Sequence, residues 1–241
     1  MTSPYYRFLP GLCGGGGFSP LALGPAIWLD PSDLTTLFQD SAGTTPVTAN
    51  NDPVGRINDK SGNGRNLTQG TAAARPLYKT AGGLHWLEFD GADDCLGAAF
   101  ALAYPFEAVT AFRVIAFAAA TRRICGGNNP AGSLFTSSST ALGIFSGLAV
   151  TNANHITAAD EVTTERYNGA SSRIAIDNGS YSTGDINNTA VAGMAIGAQD
   201  DISNEPCNIR FYGRVAVSSL ITDLQIAQLR TYLAAKQGRI L

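Results

Sequence analysis

The sequence predicts an all-β protein that ends in a single helix, and three observations lead to this fold class. Short apolar runs alternate with turns rich in Gly, Asn and Asp along most of the chain. Of the 241 residues, 44% are hydrophobic, only 15% are charged and 27 are glycine, a composition typical of a compact, loop-rich β protein. A helical pattern with its own capping residues occurs near the C-terminus. A chain of this length can bury a core as one large sandwich or as two small domains.

Residues 1–24 differ from the rest of the chain and form a predicted N-terminal arm. Four consecutive glycines, residues 14–17, cannot hold a helix or a strand by themselves. Two interpretations stay open, a frayed terminus or a docking arm that orders on a partner. The aromatic character of the start favours docking, with the remaining residues 25–241 as the folded domain. The residues that would dock are Tyr5, Tyr6, Phe8 and Leu9.

The stretch from Leu84 to Leu96 organises the predicted sandwich. Its first half has strand composition, and Asp90-Gly91 is a strong turn signal, because glycine accepts a positive φ without steric cost. Strand alternation makes the face with two large apolar residues the core face. That face carries His85, Leu87 and Phe89, and the opposite face carries Leu84, Trp86 and Glu88.

Other segments are assigned from apolar runs and turn residues. An apolar strand begins at Ala26 and ends in a turn where Ser32 or Asp33 could cap a short helical turn. Residues 107–117 alternate loosely and then become wholly apolar, as expected of a strand buried on both faces. The polar span 151–165 is predicted to be a loop, and Arg122-Arg123 to interrupt the apolar middle. Further strands are predicted over residues 134–135, 142–150, 172–176, 192–197 and 209–217.

The predicted helix covers residues 223–237. Thr222 and Gln225 have the spacing of a capping box, and Gly238 suits the position after the helix. Leu229 and Leu233 lie on one apolar stripe together with Ile226. We expect this stripe to pack on the rim of the sandwich.

A set of short motifs occurs in a fixed order. They are Trp-Leu-Asp at 28–30, Phe-Gln-Asp at 38–40, Asp-Lys-Ser-Gly-Asn-Gly at 59–64, Arg-Pro at 75–76 and Phe-Asp-Gly at 89–91. The set resembles the concanavalin A-like, laminin-G-like jelly-roll modules of phage and prophage virion structural proteins, over roughly residues 26–238. One departure is Ile57, where the resemblance leads us to expect Trp.

The resemblance implies a jelly-roll β-sandwich with a C-terminal helix and an extended N-terminal arm. It implies a non-enzymatic virion protein, such as a capsid decoration, collar or tail and fibre component. Its partners would be other virion structural proteins and copies of itself, and its location the virion. The alternative is a glycan-binding module that contacts the host surface.

Charge and motif content disfavour several other functions. The net charge of -3 is spread along the chain without a basic patch, which argues against nucleic-acid binding. No apolar run is long enough to cross a bilayer, and the start lacks the order of a secretory signal. The cysteines lack paired spacing, so buried thiols are expected rather than a zinc site. They are Cys13, Cys95, Cys125 and Cys207.

Catalytic patterns are weak. A glycoside hydrolase is the less favoured alternative, because such enzymes also use jelly rolls and Glu88 and Asp90 have the spacing of a carboxylate pair on one strand face. Asp90, however, is expected to bind backbone amides in its turn. The chain has only two histidines, His85 and His155, and no Gly-x-Ser-x-Gly elbow. The sequence therefore predicts a protein that is not an enzyme.

Two binding sites are considered. Some laminin-G-like modules bind calcium, and hard oxygen ligands are available from Asp59, Asn63, Asp93 and Asp94, although Asp59 and Asn63 could simply cap their turn. Trp86, beside Glu88, could stack on a glycan, or it could pack in a second layer or a subunit contact, and the packing or contact role is favoured.

Overall fold

The computed structural model describes residues 17–127, 130–199 and 204–241. In chain order its strands are β1 (Ile27–Leu29), β2 (Leu37–Phe38), β3 (Arg56–Ile57), β4 (Leu67–Thr68), β5 (Leu77–Ala81), β6 (Leu84–Asp90), β7 (Leu96–Leu102), β8 (Phe106–Val114), β9 (Arg122–Gly126), β10 (Ser133–Ser138), β11 (Ala141–Phe145), β12 (Ala149–Asn152), β13 (Asp160–Tyr167), β14 (Ser172–Ile176), β15 (Ser182–Gly184), β16 (Val191–Ile196) and β17 (Asn208–Val217). Helix α1 spans Asp223–Ala235, and 3-10 turns occur at Pro20–Leu23, Leu34–Thr36, Ala72–Ala74 and Gly169–Ser171.

The described strands form two antiparallel sheets. The eight-stranded sheet has the order β15-β14-β13-β8-β17-β6-β5, with β1 paired to the end of β17. The nine-stranded sheet has the order β12-β11-β10-β9-β16-β7-β4-β3-β2. The predicted fold class, an all-β jelly-roll sandwich with one C-terminal helix, is confirmed.

A continuous apolar core fills the space between the sheets. Leu87 and Phe89 point into it from β6, as the strand alternation predicted, and Phe112 lies beside them. Ile57 is also fully buried there, so an aliphatic side chain fills the place where the resemblance led us to expect Trp.

The expectation that helix α1 would pack on the rim of the sandwich was wrong. The helix covers the outer face of the eight-stranded sheet. Leu229 and Leu233 are buried there in a second apolar cluster with Trp28, Trp86 and strand residues of β8, β13 and β17. Gly213 allows this close approach, since a Cβ at that position would stand 3.1 Å from Cδ2 of Leu233. The eight-stranded sheet is therefore covered on both faces, which explains why β8 is buried along almost its whole length.

The start of α1 matches the prediction in detail. Oγ1 of Thr222 accepts the backbone N–H of Gln225, and Oε1 of Gln225 accepts the N–H of Thr222, which completes the capping box.

Several strands were missed by sequence reasoning, and two of them lie in segments to which it gave another role. The span 151–165, predicted to be a loop, contains most of β13, a central strand that pairs with both β8 and β14. Arg122 and Arg123 do not interrupt the sheet but begin β9. Residues 142–150 divide between β11 and β12 at a tight turn.

The predicted docking residues of the arm, Tyr5, Tyr6, Phe8 and Leu9, lie outside the described residues. Residues 18–24, which the sequence assigned to the arm, pack against the domain: Phe18 and Leu23 contact the cluster under α1. Ser19 caps the 3-10 turn that follows. In the part of the chain that the structure describes, no helix is long and apolar enough to cross a membrane.

Candidate functional site

The Phe-Asp-Gly turn after β6 builds an acidic cleft. Gly91 has a φ of 76°, and a Cβ there would stand 2.8 Å from the backbone of Asn208, so the turn requires glycine. Oδ1 of Asp90 accepts the N–H groups of Ala92 and Asp93, at 2.7 and 3.3 Å. The prediction that Asp90 binds backbone amides is confirmed.

The cleft is strongly acidic. Carboxylate oxygens of Asp90, Asp93 and Asp94 lie within 4.8 Å of one another. Asp94 is 6% exposed, and burial, reinforced by the charges of Asp90 and Asp93, raises the pKa of its carboxyl to about 6. The cleft has a volume of about 290 Å³ and is lined by Leu77, Glu88, Phe89, Asp90, Asp94, Ile115 and Asn208. Such a group of oxygens can take up a proton or hold a hard cation such as calcium.

The four residues considered for calcium divide between two places. Asp93 and Asp94 belong to the group of carboxylates at the Asp90 turn, whereas Asp59 binds the N–H groups of Trp28, Ser61 and Arg65 through its two oxygens. The amide nitrogen of Asn63 donates to the backbone carbonyls of Pro25 and Ala26. The structure therefore places Asp59 in a turn-capping role and Asn63 in a contact that ties its loop to the residues before β1. The donor set that suits calcium is Asp90, Asp93 and Asp94.

The motifs that carry the resemblance bind one another. Besides the Asp59 contact, the N–H of Lys60 donates to the carbonyl of Trp28 at 2.8 Å, and Nζ of Lys60 lies 4.5 Å from the Trp28 ring centroid. Asp30 is buried and accepts from Tyr232 and Lys236 of α1, both at 2.9 Å. The motif at 59–64 thus holds the motif at 28–30, which Asp30 joins to the C-terminal helix, and both have a structural role.

Trp86 and Glu88 form a packed pair on the outer face of β6. Trp86 is 8% exposed and lies under the guanidinium of Arg210, 4.9 Å from the ring centroid, with Tyr212 beside it. Oε2 of Glu88 accepts from Nε1 of Trp86 and from Arg210, each at 3.2 Å. The indole face is therefore occupied by protein, which agrees with the packing alternative for Trp86.

Glu88 and Asp90 both line the acidic cleft, with Asp94, whose raised pKa sequence reasoning missed. The pairing of an ionised carboxylate with one of raised pKa is found in glycosidases. Here, however, Glu88 is bound by Arg210 and Trp86, and Oδ2 of Asp94 accepts the N–H of Asp90 at 2.9 Å.

An apolar groove on the outer side of α1 was also missed. It has a volume of about 480 Å³ and is lined by Phe18, Leu224, Ala227, Gln228, Thr231, Tyr232 and Ala235. The Phe18 ring packs edge-on against Tyr232, with centroids 6.2 Å apart, and Leu224 is 71% exposed. The signal in the sequence was the presence of Leu224 and Ala227 off the core stripe of the helix.

Comparison with known proteins gives a likeness at the level of the fold. No family model matches the chain, and no curated protein matches its sequence. Trypanosoma rangeli sialidase in complex with a difluorinated nononic acid is similar with a TM-score of 0.62 and 12% identity, over 98% of this chain and 36% of the sialidase. The botulinum neurotoxin type G receptor-binding domain has a TM-score of 0.57 and 8% identity, over 86% of this chain and 51% of that domain.

A third similar structure is the binding domain of Paraclostridial mosquitocidal protein 1, with a TM-score of 0.55 and 11% identity, over 73% of this chain and 49% of that chain. This chain spans about a third of the length of the sialidases it matches. At these identities the likeness concerns architecture alone, and it places the chain among β-sandwich domains.

Proposed function

We propose that this chain is a non-enzymatic structural module of a phage virion, a capsid decoration, collar or tail and fibre component attached through its N-terminal arm. The observation that carries the proposal is the position of the exposed apolar groove. It lies on the outer side of α1 and is lined by Phe18, where the arm joins the domain. An exposed apolar surface of this kind is typical of a protein contact. The virion assignment is supported by the motif resemblance.

The non-enzymatic part of the proposal is supported by the contacts of the acidic side chains. Glu88 is held by Arg210, Trp86 and Lys79, and Asp90 by turn amides. A carboxylate occupied in this way is poorly placed to transfer a proton to a substrate. Glycan cleavage by the wild type, abolished in a folded Glu88→Gln variant, would contradict this.

The attachment role is tested by removing residues 1–16. Because Phe18 and the turn at Pro20–Leu23 pack on the domain, this deletion spares the folded part. We expect the truncated protein to stay soluble, to melt within a few degrees of the full chain, and to be missing from virions assembled in its presence. A full chain with Tyr5, Tyr6 and Phe8 changed to Ser is the matched control for length. Incorporation of both variants at the wild-type level would refute attachment through the arm.

A second candidate is a glycan-binding module at the host surface. The similar structures include a toxin receptor-binding domain and a sialidase in complex with sialic acid, and the shared architecture favours considering the same kind of ligand here. Because Trp86 is covered by Arg210, binding would use another surface. A glycan array separates the candidates, since binding that survives deletion of residues 1–16 would favour this one.

A further inference from the structure

We propose that the aromatic segment at residues 5–9 docks in the groove on α1 of its own chain. This goes beyond virion attachment, since it concerns the free protein and does not depend on what the arm later binds.

The groove suits an aromatic occupant. The residues that line it include no charged side chain, and the hydroxyl of Tyr232 is already bound to Asp30, at 2.9 Å. The groove has an apolar surface, provided by Leu224, Ala227 and Ala235, that no other described residue shields fully from water. Aromatic side chains gain most from such a surface, because each buries a large apolar area at low cost in side-chain entropy.

The length of the arm matches the span of the groove. The described chain begins at Gly17, and Phe18 is itself part of the groove wall. A random-coil segment of about ten residues has a root-mean-square end-to-end distance of roughly 16–19 Å, and the 13 residues of α1 extend about 20 Å. Residues 5–9 can therefore reach the whole groove from Phe18.

The same tether selects the groove of the same chain over that of a second copy. A short flexible linker gives an effective concentration on the order of millimolar. At micromolar protein concentrations, docking within one chain then outcompetes exchange between chains.

Charge also favours this placement. Residues 1–16 carry one charged side chain, Arg7, and no carboxylate. Asp223, adjacent to the groove residue Leu224, has a side chain that is 86% exposed and pairs with Arg173 on one side. Arg7 can approach the free side of Asp223 while the neighbouring aromatic rings enter the groove.

The test uses the full chain with a photo-crosslinker, Phe8→p-benzoylphenylalanine. After irradiation at micromolar concentration, we expect cross-links to peptides that contain residues 224–235, in a band of monomer mass. Adding Leu224→Glu and Thr231→Glu, both at exposed groove positions, should reduce this product at least tenfold. Adding Ile156→Glu, at an exposed apolar residue outside the groove, should leave it unchanged, which controls for a general effect of new charge.

Cross-links scattered over the domain, or unaffected by the two groove substitutions, would overturn the proposal. A product of dimer mass that grows with protein concentration would assign the arm to the groove of a second copy, and would likewise overturn docking within one chain.

Discussion

The inner and outer faces of the eight-stranded sheet are both buried, yet their chemistry differs. Under α1 the outer face is apolar, with Val109, Val162 and Val215 packed against Leu229 and Leu233. A buried carboxylate of this face, Glu107, lies beside the start of the helix, where it pairs with Arg166. The inner face, towards the other sheet, contains charged and hydroxyl side chains among its aromatic residues. Four of its polar members, all at most 1% exposed, are Thr110, Thr163, Glu165 and Arg214.

These polar side chains of the inner face bind one another. Nη1 of Arg214 donates to Oε2 of Glu165 at 2.7 Å and also to the hydroxyl of Thr110. The hydroxyls of Thr110 and Thr163 donate to Oε1 of Glu165, at 2.8 and 2.6 Å. Burial by itself would lower the pKa of Arg214, but the Glu165 carboxylate outweighs this, and the net pKa of the guanidinium is raised.

The comparison teaches that burial in this protein is not restricted to apolar side chains. The outer face is stabilised mainly by burial of apolar area, which does not require one particular partner for each side chain. The inner face depends on the charge pair of Glu165 and Arg214, which are 49 residues apart in the sequence. A pair of this kind contributes little net stability but penalises any register that separates it.

The largest effect is expected from removing one member of the inner pair. Arg214→Met leaves the Glu165 carboxylate buried without its cation, and we expect the free energy of unfolding to fall by about 3–5 kcal/mol. The double variant Arg214→Met, Glu165→Leu removes both charges and should recover most of this loss. Guanidinium denaturation measures both. A double variant as unstable as the single one would mean that packing, not the charge pair, distinguishes the inner face.

On the outer face, truncation removes only apolar contact. Leu229→Ala and Leu233→Ala should each lower the free energy of unfolding by about 2–5 kcal/mol, through lost burial and the cavity left behind. Leu224→Ala, at the exposed side of the same helix, is the matched control and should change stability by less than about 0.5 kcal/mol. If the denaturation midpoints of Leu229→Ala and Leu233→Ala were close to that of the wild type, α1 would not be held by packing on this face.

Asp94 shows how a buried carboxyl affects the pH dependence of stability when no cation among the described residues is paired with it, in contrast to Glu165, which is paired with Arg214. Its pKa is raised from 3.8 to about 6 in the folded protein, so the folded state binds more protons than the unfolded state between these values. Stability from this group is therefore present below about pH 4 and is lost as the pH rises through 6. The full pKa shift of Asp94 corresponds to about 3 kcal/mol in the free energy of unfolding. We expect about half of this value, because the carboxyl borders an open cleft.

The measurement for Asp94 is the pH dependence of unfolding in wild type and Asp94→Asn. The difference in stability between them should change by about 1–2 kcal/mol between pH 4 and 7, in favour of the variant at high pH. Calcium at pH 7 should raise the melting temperature of the wild type more than that of Asp94→Asn if the cleft holds the ion. A pH-independent difference would show that Asp94 titrates normally.

The smallest effect on stability is expected at the N-terminus of α1, outside both faces of the sheet. Thr222→Ala removes the side-chain acceptor for the N–H of Gln225 and should cost about 1 kcal/mol. Thr222→Ser keeps the acceptor and serves as the control. A loss as large as that for Leu229→Ala would mean that the cap, rather than the packed stripe, anchors α1.

Much of this molecule could be predicted from local pattern. The alternation in β6, the turn at Asp90-Gly91 and the capping box at Thr222 depend on residues close in sequence, and the structure confirms each of them. Strand β13 could not be predicted in this way. Its buried Thr163 and Glu165 read as part of a polar loop, because Arg214, the cation that pairs with Glu165, lies far away in the sequence.

The candidate sites divide in the same manner. The sequence alone determined which residue types could act: carboxylates around Asp90, an aromatic arm, and an apolar stripe on the last helix. Only the tertiary structure decided that Asp59 is committed to its turn, that Arg210 covers Trp86, and that burial raises the pKa of Asp94. Local sequence fixes turns and caps because their partners are a few residues apart. Burial, charge pairing and open grooves arise only when distant strands meet.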